Sequence, residues 1–258
     1  MLYYLYNLSE KLLNHGIDND FVKALNVFQY ITFRSICAAV TSFLLCLMFG
    51  NRVIRKLISL KFGQPIRTKE EVHKLFELHG AKKGTPTMGG VLILGAVIIS
   101  SLLWARPTNG FVWLVLIATV FLGGIGFYDD YLKVAKKSSD GISSRLKFGL
   151  QCLLAAGFTL FFIQNGALWH QAQELYVPFF KEPIALGWGA FFLYLLVIVG
   201  TSNAVNLTDG LDGLAAGCST TVAATYAMLA YVAATAPTAQ YLQIPQVPAA
   251  GELTVLCM

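Results

Sequence analysis

Asp129-Asp130-Tyr131-Leu132-Lys133 sets two adjacent carboxylates and a lysine at the end of an apolar run. If that run is a helix, acids at its C-terminus oppose the macrodipole at about 0.3–1 kcal/mol each. The two acids also repel each other, which favours protonation of one. A solvated helix end is better served by lysine, so the pair points to a use. Paired carboxylates can hold Mg2+ through oxygen, or one can act as a general base. A second stretch, Lys82-Lys83-Gly84-Thr85-Pro86-Thr87-Met88-Gly89-Gly90, has two readings. Thr85 as N-cap and Pro86 at the first helical position make a well-formed helix start. Two lysines beside exposed backbone N–H groups also suit a phosphate, and the glycines allow close approach. The third stretch is Asn206-Leu207-Thr208-Asp209-Gly210-Leu211-Asp212-Gly213-Leu214. If it is helical, Asn206, Asp209 and Asp212 recur every three residues and share one face. If it is a turn, Asp209 or Asp212 caps the next helix and the glycines supply the bend. Capping needs one acid, whereas two acids and an amide suit recognition of a base or sugar.

The elements that must position these groups are membrane-spanning helices. The 258 residues are 56% hydrophobic and only 13% charged, with mean hydropathy +0.61. A soluble domain carries about twice that charge. The apolar residues come in runs near the roughly 20 residues that a crossing needs. Six full spans are predicted at 25–49, 88–105, 111–128, 146–164, 187–205 and 213–235, and Gly251–Met258 starts a seventh. A span cannot stop in mid-bilayer with its backbone unsatisfied, so the working protein is expected to continue past Met258. The expected fold is all-α, a polytopic transmembrane bundle forming a single integral membrane domain over 1–258. Residues 1–24 lack a basic segment followed by an apolar run and cleavage site, so the first span is expected to be an uncleaved anchor.

Counting crossings puts 1–24, 106–110, 165–186 and 236–251 on one side and 50–87, 129–145 and 206–212 on the other. Fourteen of the 19 Lys and Arg residues lie on or beside the second set, and four on the first. The positive-inside rule makes the second side cytoplasmic and puts the N-terminus outside. The net charge of +5 is interleaved with spans in this way, which argues for a bilayer and against nucleic acid. Arg34, inside the first span near its outer end, is expected to snorkel to the interface. Five cysteines sit singly in apolar segments and four histidines are scattered, so neither type forms a metal-ligand spacing. All three motifs fall on the cytoplasmic side. Acids, lysines suited to phosphate and a bilayer together suggest phosphoryl transfer onto a lipid, catalysed by charge neutralisation and positioning.

In this order and on these spans, the motifs resemble those of the bacterial phospho-N-acetylmuramoyl-pentapeptide transferases, within the polyprenyl-phosphate sugar-1-phosphate transferase superfamily. The resemblance extends to Phe28-Gln29-Tyr30-Ile31-Thr32-Phe33-Arg34 and Val177-Pro178-Phe179-Phe180-Lys181. It implies an inner-membrane Mg2+ enzyme of peptidoglycan synthesis. The family's substrates would be UDP-N-acetylmuramoyl-pentapeptide and undecaprenyl phosphate, and its products lipid I and UMP. By resemblance, Asp129 and Asp130 are the catalytic aspartates, with Asp129 deprotonating or otherwise activating the lipid phosphate. Lys82, Asn206, Asp209 and Asp212 match positions associated with the uridine nucleotide, and Thr87 and Lys133 lie near the phosphates. The family pattern continues beyond Met258 with a third acidic motif implicated in Mg2+ binding and a histidine-rich loop, so the principal metal ligand is left unassigned. Direct attack and a covalent aspartyl intermediate both stay open, as does the oligomeric state, for which a homodimer is one option. Two alternatives stand beside this reading. One is a sibling that transfers N-acetylhexosamine 1-phosphate to a polyprenyl phosphate; the other is a non-catalytic membrane protein that binds nucleotide or lipid.

Overall fold

The computed structural model describes residues 1–15, 19–59, 88–136, 141–177, 180, 182–209 and 213–258. Lys82, Thr87 and Asp212 lie outside these residues, so the lysine-rich motif up to Thr87 and the last acid of the third motif fall outside the described structure. Almost everything described is helix. After the N-terminal α1 (Tyr4–Asn14) and α2 (Asp20–Ala24), a 3-10 turn at Leu25–Gln29 leads into α3 (Ile31–Ser59). Then come α4 (Gly90–Trp104), α5 (Gly110–Lys136), α6 (Ser144–Gln164) and the short α7 (Gly166–Ala172). A hairpin of β1 (Glu174–Leu175) and β2 (Ile184–Ala185) precedes α8 (Gly189–Thr208) and α9 (Leu214–Ala234). The hairpin strands are antiparallel, with Glu174 opposite Ala185. Short α10 (Ala236–Tyr241), a 3-10 turn at Pro248–Glu252 and α11 (Leu253–Cys257) follow.

A helix stands at each of the six predicted spans. Four of them, α3, α5, α6 and α8, are long and apolar enough to cross a membrane. The second predicted span forms the 15-residue α4, about 22 Å at 1.5 Å per residue and shorter than the ~30 Å hydrocarbon core. The sixth, α9, has 21 residues, but Gly, Ser, Thr and Tyr dilute its hydropathy. The chain is an integral membrane protein. Large apolar side chains such as Phe43, Leu47, Ile117, Phe192 and Leu196 face outward, as a lipid solvent permits and water does not. Hydroxyls on these helices find partners on their own backbone: Thr119 donates to the Val115 carbonyl at 2.8 Å and Thr159 to that of Ala155 at 3.0 Å. That satisfies a polar group where no water can.

At one end of the bundle, residues from the predicted outer loops converge. A small core of Ala38, Ala105, Val112, Leu116 and Val255 underlies this end. Asn109 caps α5 by accepting from Phe111 N–H at 2.9 Å, and its Nδ2 donates to the Ala249 carbonyl at 2.7 Å. The Met1 amino group donates to the Leu102 and Leu103 carbonyls, both at 2.8 Å, and so answers the open C-terminal carbonyls of α4. Burial, and then the Arg34 charge, lowers the pKa of this amine.

The expectation that Arg34 snorkels is overturned here. Its side chain is 1% exposed. Nη1 donates to Glu252 Oε2 at 2.7 Å and Nη2 to Oε1 at 2.6 Å, while Nη1 also reaches the Trp104 carbonyl at 3.1 Å. Glu252 takes a third donor, the backbone N–H of Arg106, at 2.9 Å. The Tyr3 ring lies 5.0 Å from the Arg34 guanidinium. A planar fork matched to a carboxylate replaces hydration that the interface was expected to supply. The expected start of the seventh span is the segment that brings in this partner.

Candidate active site

The predicted third span ended at Tyr128, with the acids at the helix terminus. Instead α5 runs on to Lys136, so Asp129 and Asp130 sit inside its polar last turns, and the dipole penalty expected for them falls away. Helical spacing then explains the DDxxK pattern. Lys133 is four residues from Asp129 and three from Asp130, so one ammonium faces both acids. Its Nζ lies 2.6 Å from Asp129 Oδ2 and 3.5 Å from Asp130 Oδ1.

The two carboxylates are not equivalent. The Asp129 side chain is 18% exposed, and its Oδ1 accepts the Ile142 backbone N–H at 2.7 Å. Asp130 is 43% exposed and, among the described residues, is paired only through the longer lysine contact. Asp129 is thus locked by two donors from different segments, and Asp130 faces outward with an oxygen edge available. Gly141 makes the Asp129 lock feasible, because a Cβ there would overlap the carboxylate. Gly141→Ala is therefore expected to push Asp129 off the Ile142 N–H and cut transfer activity about tenfold or more, since small misplacements of reacting groups are costly. Normal activity in a well-folded Gly141→Ala protein would show that this contact is dispensable.

Two further helices contribute charge. Lys147, near the start of α6, acts electrostatically on Asp129, and Asp209 acts on Asp130. Asp209 is the C-cap of α8, and Asn206 lies in the last turn of that helix, exposed. Asn206 is thus helical, as one of the two readings had it, while Gly213, with φ +78°, starts α9 from a left-handed conformation that favours glycine. The structure brings Asp129, Asp130, Lys133, Lys147 and Asp209 to one end of the bundle, opposite the Arg34–Glu252 pair. Lys147 and the Gly141-Ile142 anchor were not singled out in the sequence. Ile142 is thirteen residues from Asp129 and matches no local pattern, whereas Lys147 had a signal, being a basic residue one turn into the next helix.

Residues 112–251 match the model of glycosyl transferase family 4. Residues 82–94 match phospho-N-acetylmuramoyl-pentapeptide-transferase signature 1. The chain is 48% identical over 259 residues to the phospho-N-acetylmuramoyl-pentapeptide-transferase of Methylacidiphilum infernorum, covering 100% of this chain and 68% of the relative. The chain belongs to the phospho-N-acetylmuramoyl-pentapeptide-transferase family. Proteins of the same name from Syntrophus aciditrophicus and Citrifermentans bemidjiense are 47% and 50% identical, over 90% and 91% of this chain and 63% and 64% of their own lengths. The chain therefore spans about two thirds of the length of these transferases.

This transferase family carries out glycosyl-phosphate transfer, generally with a divalent metal. Among the described residues, no three His, Cys, Asp or Glu side chains gather as a metal cluster. The donors that are present fit a different arrangement. Mg2+ commonly takes one or two carboxylates and completes its shell with water and substrate phosphate oxygens. Asp130, half exposed and facing the charge of Asp209, suits that use; Asp129, already holding two donors, suits it less.

Proposed function

We propose that the protein transfers phospho-N-acetylmuramoyl-pentapeptide from its UDP carrier to undecaprenyl phosphate, forming lipid I and UMP. In this reading an oxygen of the lipid phosphate attacks the phosphorus attached to the sugar. One phosphoanhydride bond forms, the bond to UMP breaks, and UMP leaves with the electron pair. The observation that carries the reading is the gathering of Asp129, Asp130 and Lys133 with Asp209 at one bundle end, in a chain whose relatives bear this activity in their names. Asp129, oriented by Lys133 and the Ile142 N–H, activates the lipid phosphate, taking its proton where one is present. Asp130 would hold Mg2+, which when bound neutralises phosphate charge. Lys133 and Lys147 offset further negative charge, and Lys82, Thr87, Asn206, Asp209 and Asp212 serve the nucleotide and its phosphates. The site faces the cytoplasm, where a nucleotide-linked donor is available, with the N-terminus outside and the protein in the bacterial inner membrane.

The test uses protein expressed from its complete gene, purified in detergent, with the muramoyl nucleotide, undecaprenyl phosphate and Mg2+. Stoichiometric UMP and lipid-linked product are expected, with loss of both on chelation. Absence of UMP release under these conditions sinks the reading. Preference for UDP-N-acetylhexosamine in a donor competition would replace it with the hexosamine-phosphate sibling.

A further inference from the structure

We propose that Gln151 is a positioning residue for the nucleotide side of the site, fixing the rotation of α8 against α6. The inference rests on the transferase reading above. Gln151 is 2% exposed, and the helix residues that follow it, from Cys152 to Phe158, are apolar or glycine. Its Nε2 donates to Ser202 Oγ at 2.7 Å, and its Oε1 accepts from Asn203 Nδ2 at 3.4 Å. Both partners are themselves anchored to α8: Ser202 Oγ donates to the Ile198 carbonyl at 2.6 Å and Asn203 Nδ2 to that of Val199 at 2.8 Å.

Consecutive helix residues point about 100° apart. A single carboxamide that grips residues 202 and 203 together therefore defines the rotation of α8, which apolar packing alone would leave looser. The consequence lies toward the site. Ser202, Asn206 and Asp209 fall at i, i+4 and i+7, so the gripped stripe of α8 is the one that carries the nucleotide-side candidates. On α6, Lys147 is one turn from Gln151 on the same stripe and acts on Asp129. A buried amide is costly among apolar helices unless its partners are placed for it. Here those partners orient groups two turns farther on.

Steady-state kinetics of Gln151→Met, which keeps the volume and removes the grip, test this, with Ser202→Ala and Ser202→Thr alongside. KM for the uridine donor should rise about fivefold or more in Gln151→Met and Ser202→Ala, the scale of a lost hydrogen bond, with kcat within about twofold. Ser202→Thr, which keeps the hydroxyl, should restore the wild-type KM, and the double variant Gln151→Met/Ser202→Ala should cost no more than either single change. Gln151 as ordinary interhelical glue would lower the melting midpoint and the active fraction, moving apparent kcat with KM unchanged; that outcome overturns the proposal. If the wild-type protein shows no transfer, the functional reading fails first, and calorimetric binding of UMP then decides this one. Weakened UMP binding in Gln151→Met supports positioning. Equal binding, or none in either protein, overturns it.

Discussion

Asp129→Asn is expected to lower kcat by about a hundredfold to ten-thousandfold, the range lost with an acid–base group, while uridine nucleotide binding stays near wild type. The geometry explains why shape survives and function does not. An asparagine can still accept the Ile142 N–H through Oδ1, now made by Asp129 at 2.7 Å, so the segment after α5 stays docked. Its amide, however, turns a donor toward the Lys133 ammonium, which now sits 2.6 Å from a carboxylate oxygen. Lys133 must then lean on Asp130 alone. The site loses one negative charge and the only acceptor able to take a proton at this position. Stopped assays on the purified variant, paired with UMP titration, separate the two effects. Turnover within about tenfold of wild type would remove Asp129 from a proton-transfer role.

Glu252→Ala is expected to destabilise the bundle by about 3–5 kcal/mol, because it strands a buried charge. The loss is not confined to one ion pair. Glu252 holds both terminal Arg34 nitrogens and the Arg106 N–H, so three donors lose their acceptor together. Among the described residues, Arg34 would keep only the Trp104 carbonyl and the faces of its packing neighbours, Tyr3 among them. The double variant Arg34→Met/Glu252→Leu should recover most of the stability, since it removes both charges and leaves apolar volume. Thermal midpoints in detergent check this. An unchanged midpoint for Glu252→Ala would mean that water reaches and hydrates Arg34. Because this pair lies at the bundle end away from Asp129, any residual folded protein should keep its KM, which separates this lesion from a change at Gln151.

What the sequence alone determined was the membrane class, the helices and the family. An apolar run of crossing length has one economical backbone state in lipid, the helix, so composition and run length suffice. Local spacing also determined that Lys133 could meet both acids, once α5 was allowed to run past Tyr128; the predicted boundary failed because charged residues end an apolar run without ending a helix. The Asp129–Ile142 bond, the Gln151 grip on Ser202 and Asn203, and the Arg34–Glu252 pair were decided only by tertiary structure. Arg34 and Glu252 are 218 residues apart, and no periodicity in either segment encodes the other. Snorkelling was the local optimum for an arginine considered alone on its helix. Packing withdrew the water that snorkelling needs and supplied a carboxylate in its place. The same holds for Asp129: its residue type announced chemistry, but which oxygen is locked, and by which backbone N–H, depended on where the next segment came to rest.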